Sequence, residues 1–280
     1  MATNKAALIA TIGVVAAVAI VVAIGYRPSP DGHGAASAVS RADSVTTAQP
    51  DTALAADAKV LAPPNAEPPV GMFYYLVDVS ASTKTAAGTS AFEEGVSVLR
   101  PIFETLRSMD EVSPQRHRVG TIGTVSLSDA PHCDVYVAPK TLFTGGADSG
   151  RVTQAMRRCE HDLRSMPAEG YTDITDALVN AGLSLQGRRK ALRGIIVISD
   201  LEEDSPPGTV PGTPDVRGAC IALYTVVTQQ SARDPKLMDQ RAAEWTSKLK
   251  EWGAKKVYSA STRGFDAPEL KGFFQGCEGS

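Results

Sequence analysis

Two stretches of the chain stay apolar for several residues and then stop on a carboxylate. Phe73-Tyr74-Tyr75-Leu76-Val77 ends at Asp78, and Gly194-Ile195-Ile196-Val197-Ile198-Ser199 ends at Asp200. Short uninterrupted runs of this kind predict strands buried on both faces, which is the habit of parallel sheets. Elsewhere the apolar residues recur at helical spacing. Thr89 to Met109 carries Phe92, Val96, Leu99, Phe103 and Leu106 along one face, predicting an amphipathic helix kinked or divided near Pro101. Helices are likewise predicted over Gly150–Leu163, through Ile174, Leu178 and Ala181, over Pro235–Trp252 and over Ala267–Phe274. The stripe Met238, Ala242, Trp245, Leu249 and Trp252 reads as a face packed on the sheet. Further strands are predicted at Arg118–Leu127, Cys133–Val137, Ala219–Val227 and, as a last edge, Lys256–Ser259. Strands alternating with helices predict an α/β fold over residues 70–280, with a doubly wound, mainly parallel central sheet flanked by helices.

The amino-terminal part follows other rules. After a tail over residues 1–5, Ala6 to Tyr26 is uncharged and rich in Ala, Val and Ile. At 1.5 Å per residue such a helix reaches about 31 Å, enough for a hydrocarbon core of roughly 30 Å. This predicts an uncleaved transmembrane signal-anchor, because the nearby Ala36-Ser37-Ala38 lies far beyond the apolar run for a cleavage site. Lys5 on one side faces Arg27 and Arg41 on the other, so charge barely decides orientation. The short tail favours a single-pass membrane protein whose folded part is extracytoplasmic. Residues 27–69 are Ala, Ser, Thr, Asp, Gly and Pro with almost no large apolar side chain, and predict a disordered tether.

With 280 residues, 43% hydrophobic and 21% charged, the chain can bury one sizeable core. A formal net charge of -3 gives no basic footprint, which argues against nucleic acid as a partner. Four cysteines, Cys133, Cys159, Cys220 and Cys277, permit two disulfides in three pairings among which the sequence does not choose. Buried thiols at Cys159 and Cys220 are the alternative. No pair has zinc-site spacing.

Both strand-ending carboxylates fall at the carboxyl edge of the predicted sheet, where open α/β folds bind ligands. If the backbone stays extended past Asp78, its period of two places Asp78, Ser80 and Ser82 on one side. A carboxylate and two hydroxyls are hard oxygen donors of the kind that Mg²⁺ prefers. Any one of these residues alone is more often a turn or helix cap than a ligand.

Asp78-x-Ser80-x-Ser82 resembles the D-x-S-x-S signature of the von Willebrand factor A domain family. Gly170-Tyr171-Thr172-Asp173 with Ala177-Leu178 is similar to that family's threonine-bearing segment, and Ile195 to Asp200 to its aspartate-bearing strand. The three segments follow the family's order and the resemblance covers about residues 70–280. It implies a metal-ion-dependent adhesion site, with Ser80, Ser82 and Thr172 supplying hydroxyls and Asp78 and Asp200 binding directly or through water. Thr175 is the alternative to Thr172. The implied cofactor is Mg²⁺, with Mn²⁺ or Ca²⁺ as substitutes, and the implied partner is a protein presenting an acidic side chain. Tyr171, Asp173, Glu202 and Glu203 form the expected partner-binding rim. Tyr171 stands where a second glycine is frequent, and Leu201-Glu202-Glu203 where a glycine often follows the aspartate.

The function expected is therefore a membrane-anchored, non-enzymatic adhesion module. Two other classes compete. A scaffold in a membrane complex, or an adaptor for a MoxR-type ATPase, would make the metal site secondary. A hydrolase would need an activated nucleophile, but Ser80 stands where a dehalogenase-type phosphatase wants a second carboxylate. His117, His132 and His161 show no motif relation to a serine.

Overall fold

In a computed structural model, residues 59–84, 90–123, 131–140, 147–186 and 191–277 are described. The predicted membrane span over residues 6–26 and the tether up to residue 58 lie outside them. Among the described residues no helix is long and apolar enough to cross a membrane.

The strands are β1 (Lys59–Val60), β2 (Gly71–Asp78), β3 (Gln115–Ile122), β4 (Cys133–Val137), β5 (Leu192–Ser199), β6 (Cys220–Thr225) and β7 (Lys256–Ser261). They form one seven-stranded sheet in the order β1-β4-β3-β2-β5-β6-β7. Every neighbouring pair is parallel except β3 with β4. All eight residues of β2 are buried, as expected of a central strand covered on both faces. The side chains of Phe73, Tyr75 and Val77 enter a core shared with α2 (Ala91–Arg107), α3 (Ala147–Ser165) and α7 (Ala267–Gln275). Those of Met72, Tyr74 and Leu76 enter a second core shared with α4 (Ile174–Leu185) and α6 (Pro235–Glu251). The predicted face of α2 is buried at every position named, and Trp245 and Leu249 of α6 pack on the sheet as expected.

Three expectations are corrected. First, α2 runs as one helix through Pro101, which sits on its exposed side, so the helix is not divided there. Second, the tether does not extend to residue 69. Lys59–Val60 add to the edge of β4, Val60 packs against the core, and the Tyr136 hydroxyl donates to Glu67 O at 3.1 Å. A sheet edge offers unpaired backbone groups, and this segment uses them. Third, the strand expected over Arg118–Leu127 begins at Gln115 and is described only to Ile122, residues 124–130 lying outside the described set. The choice left open at the cysteines falls to disulfides, and Cys159 and Cys220 are not free thiols. Disulfides Cys133–Cys159 and Cys220–Cys277 tie α3 to β4 and the end of α7 to β6. Both bridges lie in the same core, so both anchor helices of one face to the sheet.

The chain turns from β2 to β3 and β4 on one side and later enters β5, β6 and β7 on the other. The carboxyl ends of β2 and β5 thus flank the point where the strand order reverses, and a crevice is expected there.

Candidate metal centre

Asp78 closes β2 with both carboxylate oxygens held. Oδ1 accepts the Ser80 amide at 2.9 Å, and Oδ2 accepts the Ser199 hydroxyl at 2.6 Å from the end of β5. The backbone does not stay extended beyond this point. Ser80 O accepts the amides of Thr83 and Lys84, which starts the short helix α1 (Ala81–Lys84), and the buried Thr83 hydroxyl bonds to Ser80 O at 3.0 Å. The alternation expected from a strand is thereby replaced by a helical turn. The two hydroxyls still converge, with Ser80 Oγ and Ser82 Oγ 3.0 Å apart.

The second segment is fastened to the first through its backbone. Ala81 N donates to Glu169 O at 2.7 Å and Glu169 N donates to Val79 O at 3.0 Å. Gly123, at the end of β3, leaves room for this loop, since a Cβ there would lie 2.4 Å from Glu169 Oε2. Three residues on, Thr172 is buried and exchanges two backbone hydrogen bonds of 2.9 Å with Asp204. Those bonds join the threonine segment to the loop after β5. Thr175 is differently engaged: its amide donates to Glu203 Oε1 at 3.0 Å and its hydroxyl bonds to the same oxygen. Of the two threonines, Thr172 is the one whose hydroxyl is not committed to Glu203.

Asp200 follows β5 at 1% exposure. Its Oδ1 accepts the Glu202 amide at 3.1 Å, while Oδ2 is buried and has no hydrogen-bond partner among the described residues. Burial raises the pKa of Asp200, opposed by the Glu202 amide, by Arg241 and by a hydrogen bond from Ser82. Burial, then the charge of Asp200, pushes Asp78 up to about 6 in spite of its bonds to Ser199 and Ser80. Two buried carboxylates repelling one another, one with an orphaned oxygen, are a site short of positive charge. Among the described residues no group of three or more His, Cys, Asp or Glu side chains gathers. The donor set is therefore two carboxylates supplemented by hydroxyls, which fits a hard divalent cation.

The expected rim is largely used internally. Asp173 is not an exposed contact: it is buried at 4% and caps α4, its Oδ1 accepting the Asp176 amide at 2.8 Å. Glu202 pairs with Arg241 at 2.8 Å, and Glu203 pairs with Lys248 at 3.4 Å besides holding Thr175. Tyr171 is half-buried in the same loop.

Two contributors, Ser199 and Arg241, escape a reading of the sequence, while Leu201 stands where a glycine is frequent. Ser199 grips Asp78 from the neighbouring strand, and its only linear signal is a hydroxyl at the end of an apolar run. Arg241 reaches across from α6, its guanidinium donating to Asp200 O at 3.2 Å, and nothing in the linear pattern marks it. Leu201 adopts the left-handed region at φ 57°, where glycine is usual. It is held there because its amide donates to the Ser199 hydroxyl at 3.0 Å, its carbonyl accepts the Trp245 indole at 3.1 Å and its side chain is buried.

No family model matches this sequence, and no curated protein matches it. Solved structures with a similar fold include an aerotolerance-related membrane protein from Bacteroides fragilis, 14% identical, covering 74% of this chain and 97% of that one at a TM-score of 0.40. Manganese-loaded TRAP protein from Plasmodium vivax is 16% identical over 75% of this chain and 63% of its own, at a TM-score of 0.30. Proximal thread matrix protein 1 from the mussel byssus, with a zinc-occupied MIDAS motif, is 10% identical over 74% of this chain and 46% of its own, at a TM-score of 0.38. Identities and scores this low carry no function across. The chain's own strand order, with three distant segments joined at its switch point, makes this a doubly wound α/β fold with a crevice at its carboxyl edge.

Proposed function

We propose that this chain is a membrane-anchored, non-enzymatic module that binds a protein partner through a divalent cation, Mg²⁺ or in its place Mn²⁺ or Ca²⁺. Asp78, Ser80, Ser82, Thr172 and Asp200 would hold the ion. When bound, it supplies a coordination position open to an acidic side chain of the partner. The observation that carries this reading is the buried Asp200 Oδ2, which has no hydrogen-bond partner among the described residues and lies beside a second carboxylate already pushed up to about 6. Ser199 and the Ser80 amide fix the orientation of Asp78, and Arg241 with the Glu202 amide fixes Asp200. These contacts hold the two carboxylates in place before any ligand arrives.

The placement outside the cytoplasm rests on the apolar run over residues 6–26, and the two disulfides agree with an oxidising compartment. The non-enzymatic reading has its support in His117, which is committed to the core through Tyr75 and Gln115 and so is no base for a site serine.

The test is cross-linking capture of the native partner by the full chain in Mg²⁺ and in EDTA, with Asp78→Ala alongside. Capture is expected in Mg²⁺ alone and from the wild type alone, with the circular dichroism of the variant unchanged. Equal capture in EDTA would overturn the metal-dependent reading.

A further inference from the structure

Directly beyond Asp200, the loop after β5 forms one wall of an open groove of about 450 Å³, and α6 supplies the other. Leu201 and Trp245 line it at 2% and 3% exposure and give it an apolar floor. Its charged members are Glu202, Glu203 and Glu244 against Arg241 and Lys248. Arg241 is taken by Glu202, and Lys248 by Glu203 and by the face of Trp245, 4.5 Å from the ring centroid. Glu244 is exposed and accepts the Gln240 amide at 2.8 Å, but among the described residues no cation pairs with it. The groove therefore has one carboxylate without a counter-charge, above an apolar floor, next to the proposed metal residues.

We propose that this groove receives a lysine or arginine side chain of the partner, a few residues from the carboxylate that reaches the metal. The proposal rests on the metal-dependent reading above. A long cationic side chain matches the groove in both respects, its aliphatic stem lying on Leu201 and Trp245 and its head meeting Glu244. A partner segment that carries only acidic residues is opposed by Glu244 even where one of its carboxylates suits the metal. The partner surface that fits this edge is thus an acidic residue with a basic neighbour.

The experiment is a selection on the full chain from displayed peptides that carry one fixed aspartate and a few randomised positions on each side, run in Mg²⁺ and in EDTA. In Mg²⁺, Lys and Arg are expected to be enriched about two- to fivefold at one of the flanking positions, the size of an exposed ion pair. Glu244→Lys, an exposed change outside the metal residues, is expected to reverse the preference toward Asp and Glu. Mg²⁺-dependent selection with no flanking charge preference, or with the same preference in Glu244→Lys, overturns the groove's role and leaves the metal reading standing. No Mg²⁺-dependent selection at all overturns both.

Discussion

Ser199 donates its proton to Asp78 Oδ2 and accepts the Leu201 amide with the same oxygen, so one hydroxyl fixes both a carboxylate and a left-handed turn. Ser199→Ala leaves two buried polar groups unpaired. The expected cost is about 1–3 kcal/mol in urea unfolding, together with a metal affinity lower by roughly 10- to 100-fold, the usual effect of losing an outer-shell partner. His117 provides an independent test, far from the metal in its chemistry. Its Nδ1 bonds with the Tyr75 hydroxyl at 2.8 Å and its Nε2 with Gln115 Oε1 at 3.0 Å, between the rings of Phe73 and Phe103. The Gln115 amide nitrogen donates to Asp110 O, so Oε1 faces the ring and Nε2 carries the proton. Burial, aided by Arg107, lowers this histidine to about 3. The unfolded chain takes up a proton below about pH 6.5 while the native state does not, so stability is full above that value and falls as pH drops toward 3. Relative to His117→Gln, the wild type should lose up to about 1.4 kcal/mol per pH unit in that window, read by urea unfolding in EDTA. The paired comparison is needed because Asp78, raised to about 6, acts with the opposite sign in the metal-free protein.

At the level of elements, the residues that pack locally were readable and those that act across the fold were not. The runs before Asp78 and Asp200 and the stripe on α2 declare themselves because burial imposes a period on the chain. Both aspartates fall at one sheet edge for the same reason. Arg241 stayed hidden, since its partner is 41 residues away and only the packing of α6 brings it to Asp200. The turn at Ser80 stayed hidden because a side-chain acceptor, Asp78 Oδ1, competes with strand extension. That Thr175 is taken up by Glu203 depends on a contact from a separate loop. The disulfides show the same limit, since three pairings are equal until β4 meets α3 and β6 meets the end of α7. Sequence separations of 26 and 57 residues imply contributions of about 3.5 and 4 kcal/mol in a loop-entropy account. Cys133→Ser with Cys159→Ser, and Cys220→Ser with Cys277→Ser, should therefore each lower the urea midpoint, the second pair slightly more. A change below about 1 kcal/mol for either pair would show that packing alone fixes that helix.

For the whole molecule, the sheet order sets what the site can be. Reversal of strand order between β2 and β5 brings two carboxylates from positions 78 and 200 to one edge, and backbone bonds from Glu169 and Thr172 add a third segment. Without a cation, this assembly keeps two acids buried together and, among the described residues, one oxygen without a hydrogen-bond partner. Asp200→Asn removes one of the repelling charges, so in EDTA it should unfold no more easily than the wild type while losing metal binding. The most direct measurement is calorimetric titration of Mg²⁺ and Mn²⁺ into the full, EDTA-treated chain, with Asp78→Ala and Asp200→Asn in parallel. The account predicts one saturable site in the wild type and none in either variant, and a wild type that takes up no ion, or variants that take it up equally, would contradict it.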